Sequence, residues 1–534
     1  MSLLRLRSES RRGTAWLVAA LLGVLLQGSN GITAAEVTPA EVTPGLEPDV
    51  ISSSVAEQRW YRCTLGGHPC GRMIETVDPL EAGGTRSSID LELRFRRGEA
   101  EASTRIRTWI DLSADQVMSE MGIRQELGGV PVSTTWTFLG DEVVERRSQG
   151  GRTVESRKPR PAGDWHHPDE AMAIARARAL AGEGISTRLL VLDPARGLEP
   201  ATVVFRRVGT RKVRGLDGEV DAVEWEVTDP DGSVATEFFD SEGMLLSSEV
   251  SMGAGLGVLR IERATEAAAQ IALQGDVELM EAGVVKPVFK GPKRRLDRGG
   301  NVTYRITSKD DEGNAPVFPA AGAQRVQVIE MPRSSLIEIE TGRSSPVGED
   351  FDVARHLQAT AVLDADDPAL MAFAKRHDRA GRPDRERVRA LRSAVYRHID
   401  QKDLGTAFGT ASETVRSRRG DCTEHAVLLA AALRSAGIPS RLVSGLVWIP
   451  RAGEPGGAFL WHMWTQAVVD GRWIDLDPTL SSARAFHPGH IAVTFSDGGA
   501  GDLEIGGRAM LDVFGAIDIE VLDPGAAKQE RSND

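Results

Sequence analysis

The sequence predicts an α+β protein made of two unlike halves. Three observations carry this. Residues 59–345 are dominated by short runs in which apolar and polar residues alternate, the period of half-buried antiparallel strands. From about residue 365 the apolar spacing changes to that of amphipathic helices. After those helices, Asp470-Gly471 sits between two alternating runs, a strong signal for a two-residue hairpin, so the helices have an antiparallel sheet to pack on.

Taken in order, the chain begins with Arg5, Arg7, Arg11 and Arg12, an apolar run from Ala15 to Leu26, and small residues Thr33, Ala34 and Ala35. This is the layout of an export signal over residues 1–35. The run is short for a membrane span, which needs about 20 residues. The first cysteine is Cys63, so none stands at the cut for lipid attachment, and no later segment is apolar enough to cross a membrane. The expected location is therefore periplasmic or extracellular, with no transmembrane domain in the mature chain. Residues 36–58, rich in Pro, Ser and Thr, read as a flexible lead-in. The 534 residues suggest roughly three domains. The formal charge of −13 favours solubility and argues against a nucleic-acid partner.

Residues 59–275 read as a β-rich, curved-sheet domain. SIDLELRFRRG and STRIRTWIDL alternate cleanly, and turns fall at Gly140-Asp141 and Gly150-Gly151. A short helix is expected over 169–184, ending at Gly182 or Gly184. A second strand series runs from Ala201 to about Gly257, with turns at Pro230-Asp231-Gly232 and Ser241-Glu242-Gly243. After a basic, Gly- and Pro-containing linker, NVTYRIT and AQRVQVIEM suggest a small β domain over 285–345. No cluster of chemically active side chains marks this β half. It reads as a scaffold, or as a surface for an envelope protein partner. Cys63 and Cys70, in WYRCTLGGHPCG, read as a local disulfide in an oxidising compartment.

Residues 360–500 form the expected catalytic domain, with 501–534 as a C-terminal extension and tail. DDPALMAFAKRH and DRERVRALRSAVYRHID are helical, and Val388, Leu391, Val395 and Ile399 share a stripe. In RRGDCTEHAVLLAAALRSAGIPSR, Asp421 and Glu424 make a capping box, and the helix runs from Cys422 to about Ser435, stopping at Gly437. Cys422 thus takes the first helical position. Unpaired N–H groups and the helix dipole there stabilise an anion such as a thiolate or an oxyanion. A small packing cysteine would satisfy the local pattern equally.

A nucleophilic cysteine needs a base and a group to orient it. Folding FLWHMWTQAVVDGRWIDLDPT at Asp470-Gly471 sets Val469 opposite Arg472 and Gln466 opposite Asp475. His462, Trp464 and Gln466 then share a face with Trp473, Asp475 and Asp477. Asp477 is the diagonal neighbour of His462 and is taken as the orienting acid over the more distant Asp475. His425, three residues after Cys422, has no acid to orient it and reads as a helix histidine. His487 and His490, in FHPGH, have no partner at ligand spacing and read as loop residues, so no metal is expected.

RRGDCTEHAVLLAAALRSAGIPSRLVSGL followed by WHMWTQAVVDGRWIDLDPT resembles the transglutaminase-like core of the papain-like cysteine hydrolase and transferase superfamily. Gly-Asp-Cys-x-x-x-Ala, Gly-Ile-Pro-x-Arg, His-x-Trp and Asp-Pro-Thr occur in the family's order, over about residues 365–490. The resemblance implies a helix-borne Cys422 nucleophile packed on an antiparallel sheet, His462 as base and Asp477 as orienting acid. It implies a thioester intermediate, a protein or peptide substrate and no cofactor. The family includes transferases, proteases, peptide N-glycanases and members without catalysis. Animal transglutaminases use an upstream tryptophan as a second oxyanion donor, and this chain has none between Trp225 and Trp448. Tyr396 and Gln401 are the substitutes, with Trp464 as a further supporting residue. No acidic cluster resembles the calcium sites of the animal enzymes, so the activity is expected to be calcium-independent.

Overall fold

A computed structural model describes residues 57–522, apart from 98–99, 127–130, 150–151, 183, 231, 253–256, 276, 278–283, 310–316, 330–333, 361, 402–408, 452, 482–485, 499–512 and 514. The export signal, nearly all of the 36–58 lead-in and most of the 501–534 extension lie outside the described residues. Among the described residues no helix is long and apolar enough to cross a membrane.

Alternation along the first half produces one 15-stranded sheet. Two meanders make it. The first runs from Glu57–Leu65 outward to the edge strand Arg152–Pro159, and the second runs from Trp165–His166 at the other edge back to Val258–Ala264. They join where Glu57–Leu65 pairs antiparallel with Val258–Ala264. In Val132–Leu139 the inward residues are Val132, Thr134, Trp136 and Phe138, the period of 2 that pleating dictates. The helix Pro168–Leu180 and the short helix Glu266–Ala272 pack on the sheet and help close its core of Tyr61, Met73, Leu91, Phe205 and Trp225.

Cys63 and Cys70 correct the expectation of a disulfide. Both are buried and stand as separate thiols. A bulge between Cys63 and Thr64 sets Cys63 opposite Gly71 rather than Cys70. Burial, with the neighbouring Cys70, pushes the Cys63 thiol well up, and burial pushes Cys70 up to about 12.

Two 5-stranded sheets follow. One contains Asn301–Ser308, Gln324–Ile329 and Ser334–Glu340, and draws in Ile517–Val521 from the C-terminal extension. The other is built on the hairpin Ser440–Arg451/Glu454–Val469, flanked by Arg472–Leu476 and His490–Ser496. Their apolar faces share a core that includes Tyr304, Ile337, Leu446, Trp448 and Ile491. The Gln324 carboxamide bonds both the N–H and the C=O of Ala492, each at 2.9 Å, fixing one sheet against the other.

On its other face the hairpin carries the helix Cys422–Ser435, with Pro368–His377, Asp384–His398 and Ala411–Ser417 packed around it. Every residue from Glu424 to Arg434 is buried, as expected of a helix apolar on nearly all sides. The helix is therefore a fixed central strut, and its N-terminus opens toward solvent through half-buried Cys422.

Candidate active site

Local chemistry fixes the cysteine first. The Asp421 side chain accepts the Thr423 N–H at 2.8 Å and also the Glu424 N–H, while Glu424 Oε2 accepts the Asp421 N–H at 2.8 Å; the two Asp421–Glu424 bonds are the reciprocal pair of a capping box. Glu424 Oε1 also takes the Gly409 N–H at 3.0 Å. Burial, then the nearby Asp421 charge, pushes the Glu424 carboxyl up to about 8. Gly420 is required here: its φ is +149°, and a Cβ would lie 2.3 Å from the Glu424 Cβ. The sequence Gly-Asp-Cys thus brings the chain tightly over Glu424 and presents Cys422 at the first turn.

The hairpin brings the histidine. Asp470 and Gly471 take φ of 54° and 69°, and Val469 pairs with Arg472 and Gln466 with Asp475, as the sequence predicts. The ladder ends at Thr465–Leu476, so Asp477 stands just past it. His462 Nε2 donates to Asp477 Oδ2 at 2.9 Å, and the ring shares the cavity with Cys422, which adds to its basicity. Burial alone would lower the basicity of His462; the Asp477 charge and hydrogen bond, with Cys422, outweigh it and push the imidazole up to about 10. Burial likewise works against the Asp477 charge, but His462 and hydrogen bonds from both His462 and His490 hold the carboxyl well below its ordinary range. Its other oxygen accepts the Thr479 N–H at 2.8 Å and the Thr479 hydroxyl at 2.6 Å.

The remaining expected residues lie elsewhere. Asp475 accepts Trp464 Nε1, Gln466 Nε2 and the Ala323 N–H, at 2.8–2.9 Å, and so ties the hairpin to the neighbouring sheet. Trp464 is buried, with its ring nearly parallel to His462 and centroids 6.2 Å apart. Gln401 is exposed, and its backbone pairs with Arg419 in the segment leading to Cys422. Tyr396 is half-buried on Asp384–His398, near Arg392. Among the described residues, neither Gln401 nor Tyr396 lines the cavity at the cysteine. His425 does; its Nδ1 donates to the Asp421 carbonyl at 2.6 Å.

Three features escaped the sequence reading. His490 is not a loop residue: it begins the strand His490–Ser496, is buried, and places Nε2 3.0 Å from Asp477 Oδ2. His462, Asp477 and His490 offer atoms within 4.8 Å of one another, a grouping of the kind that can hold a cation, but here those atoms are hydrogen-bonded to each other. Arg392, 2% exposed, donates from Nη1 to the Asp477 and Leu480 carbonyls, each at 3.1 Å, and so clamps the turn that carries the acid. A cavity of about 420 Å³ opens beside Cys422 and His462, walled by Val447, Trp448, Ile449, Leu460 and Trp461. Spacing hides Arg392, which reads as a polar position on an amphipathic helix. Only the two histidines of FHPGH gave any signal for His490.

Residues 371–478 match the family model of the transglutaminase-like superfamily. No curated protein matches the chain. Among solved structures, a candidate cysteine protease from Cytophaga hutchinsonii is 14% identical, with 41% of this chain and 81% of that one covered and a TM-score of 0.25. The periplasmic domain of TgpA from Pseudomonas aeruginosa is 15% identical, covering 34% and 91%, with a TM-score of 0.22. A candidate protease from Parabacteroides distasonis is 12% identical, covering 68% and 64%, with a TM-score of 0.17. The segment that carries Cys422, His462 and Asp477 is a transglutaminase-like domain, set behind a large antiparallel β region.

Proposed function

We propose that the protein is an exported cysteine enzyme that acts on amide bonds of proteins or peptides through a thioester. The observation that carries this is the grouping, around one cavity, of Cys422 at a helix start with His462, which is hydrogen-bonded to a fully buried Asp477. His462 takes the thiol proton, and Sγ attacks the amide carbon. The Cys422 N–H at the helix start holds the oxyanion. The C–N bond then breaks, and the imidazolium gives its proton to the departing amine. Water attacking the thioester gives a carboxylic acid; an amine gives a new amide. Asp477 keeps His462 oriented and stabilises its charged form, as the buried acid of such triads does.

A peptidase is the second reading, favoured by the cavity. At about 420 Å³ with aromatic and aliphatic walls, it has more apolar room than a glutamine side chain needs. The layout of residues 1–35 supports export. The β half then serves as a partner or substrate platform, and the activity is calcium-independent. The test compares wild type with Cys422→Ala. Uptake of a fluorescent primary amine into a glutamine-rich protein supports the transferase, and fragmentation without uptake the peptidase. If wild type does neither and Cys422→Ala preserves biological function, the domain is a non-catalytic scaffold and the proposal is wrong.

A further inference from the structure

We infer that His490 is a fourth member of this site, a positioning residue that stands as an imidazolium on the far side of Asp477 and balances its charge. The inference rests on the reading of Cys422, His462 and Asp477 given above. Its premise is a donor count. His490 Nδ1 lies 2.9 Å from the His487 carbonyl oxygen, which can only accept. His490 Nε2 lies 3.0 Å from Asp477 Oδ2, and an ionised carboxylate can only accept. Both contacts are hydrogen bonds only if both ring nitrogens carry protons. A neutral ring would aim a lone pair at an oxygen on one side, inside a fully buried site where such a mismatch is costly.

The surroundings agree. Asp477 spends Oδ1 on Thr479 and Oδ2 on two histidines, a full complement of donors around an ionised carboxylate. The groups facing His490 come from every element around it. Asp477 and His462 lie on one side, and Trp464 packs T-shaped with ring centroids 5.2 Å apart. Phe486 stacks at 4.6 Å and His487 packs at 4.3 Å, while Asp475 adds a more distant negative charge. His487 stays neutral: burial first, then the His490 charge, pushes it down to about 3, and its Nδ1 accepts the Gly489 N–H. Arg392 bonds the Asp477 backbone rather than its carboxylate. His490 is therefore the standing positive partner of Asp477 while His462 gains and loses its proton.

The consequence is a tuning effect. Without His490 the whole Asp477 charge falls on His462, which then holds its proton more tightly and returns it less readily to a leaving amine. The experiment uses the full chain labelled with ¹⁵N-histidine, in wild type and in His490→Gln, with His490→Asn as a second variant in case the first folds poorly. In wild type at pH 7 both His490 nitrogens should be protonated. The His462 midpoint should move up by about one pH unit in the variants, a tenfold change in proton affinity. A bare His490 nitrogen in wild type, or a His462 midpoint unmoved in a folded variant, overturns the inference. Neither readout needs a substrate. The functional reading is judged separately by iodoacetamide alkylation of Cys422 in wild type and His462→Ala: a fast thiol that slows in the mutant supports it, and equal, slow rates count against it alone.

Discussion

Asp477 and Glu237 are both carboxylates with no exposure to solvent, and the protein holds them in opposite states. Asp477 lies in the transglutaminase-like domain and accepts four hydrogen bonds. Glu237 lies inside the large sheet, and among the described residues neither of its side-chain oxygens has a partner. Burial, then the negative charges of Asp229 and Glu75, pushes its carboxyl well up. Burial presses both groups toward the neutral form. A carboxylate remains charged only where donors and a counter-charge have been built around it. The large sheet tolerates an unpartnered acid by keeping it protonated; the small sheet spends Thr479, His462, His490 and the Arg392 clamp on keeping one ionised. That contrast separates scaffold from chemistry more sharply than burial does.

The largest test of the contrast removes the proposed nucleophile. Cys422→Ala should lower amide turnover by at least about a thousandfold, the scale of losing a covalent nucleophile. Melting temperature should change little, because Cys422 is half-buried at the helix start. Asp477→Asn comes next. It keeps the shape but not the charge, and a loss on the order of a thousandfold or more is expected, as when a buried triad aspartate is made neutral. It should also alter stability against pH. The depressed Asp477 carboxyl contributes stability that is present above its unfolded value of about 3.9 and is lost as pH falls through the folded value. The raised His462 contributes stability fully present below about 6.5 and lost as pH rises through about 10. The contributions of these two groups should therefore be greatest between about pH 3.9 and 6.5 and fall away on both sides, with Asp477→Asn flattened at both ends. An unchanged profile would break the claim that this charge is what the small sheet is built around.

Arg392→Lys should have a smaller effect. A lysine reaches fewer acceptors than the guanidinium fork, so the turn from Asp477 to Leu480 loosens. About 2 kcal/mol of stability should be lost, the scale of a hydrogen bond from a charged donor. Turnover should fall about tenfold, more in kcat than in KM, because Arg392 does not line the cavity beside Cys422. Chemical denaturation and steady-state kinetics would measure the two effects. Equal effects on kcat and KM would place Arg392 in substrate binding instead.

These residues also show how far the sequence could be read. Asp470-Gly471 fixed the hairpin register, because a two-residue turn leaves one pairing, and that register set Gln466 opposite Asp475 and His462 near Asp477. The capping box at Asp421 and Glu424 fixed where the Cys422 helix begins. Alternation made the antiparallel sheet legible, but not that its two meanders would meet through the pairing of Glu57–Leu65 with Val258–Ala264, a contact between residues about two hundred positions apart. Cys63 and Cys70 stand as separate thiols, and sequence spacing does not reveal the bulge beside Cys63. His490 and Arg392 were hidden for a related reason. Each reaches Asp477 from an element distant in sequence, and no local periodicity encodes such an approach.

The smallest expected effect on turnover belongs to the other side of the comparison. Glu237→Gln replaces an acid that folding forces to hold its proton with a group that has no proton to lose. For wild type, the folded state binds a proton at Glu237 that the unfolded chain has released once pH exceeds about 4.3. Stability then falls with rising pH, by up to about 1.4 kcal/mol per pH unit, until the folded group itself ionises. The variant lacks this loss. At pH 5 it should be slightly less stable than wild type, because the amide brings donors that also lack partners. By pH 8 it should be the more stable of the two, and turnover should be unchanged throughout, since the site lies in a different sheet. Melting curves of both proteins from pH 5 to 8 would decide this. Parallel curves would mean that Glu237 is ionised when folded, so that the large sheet, like the small one, maintains a buried charge.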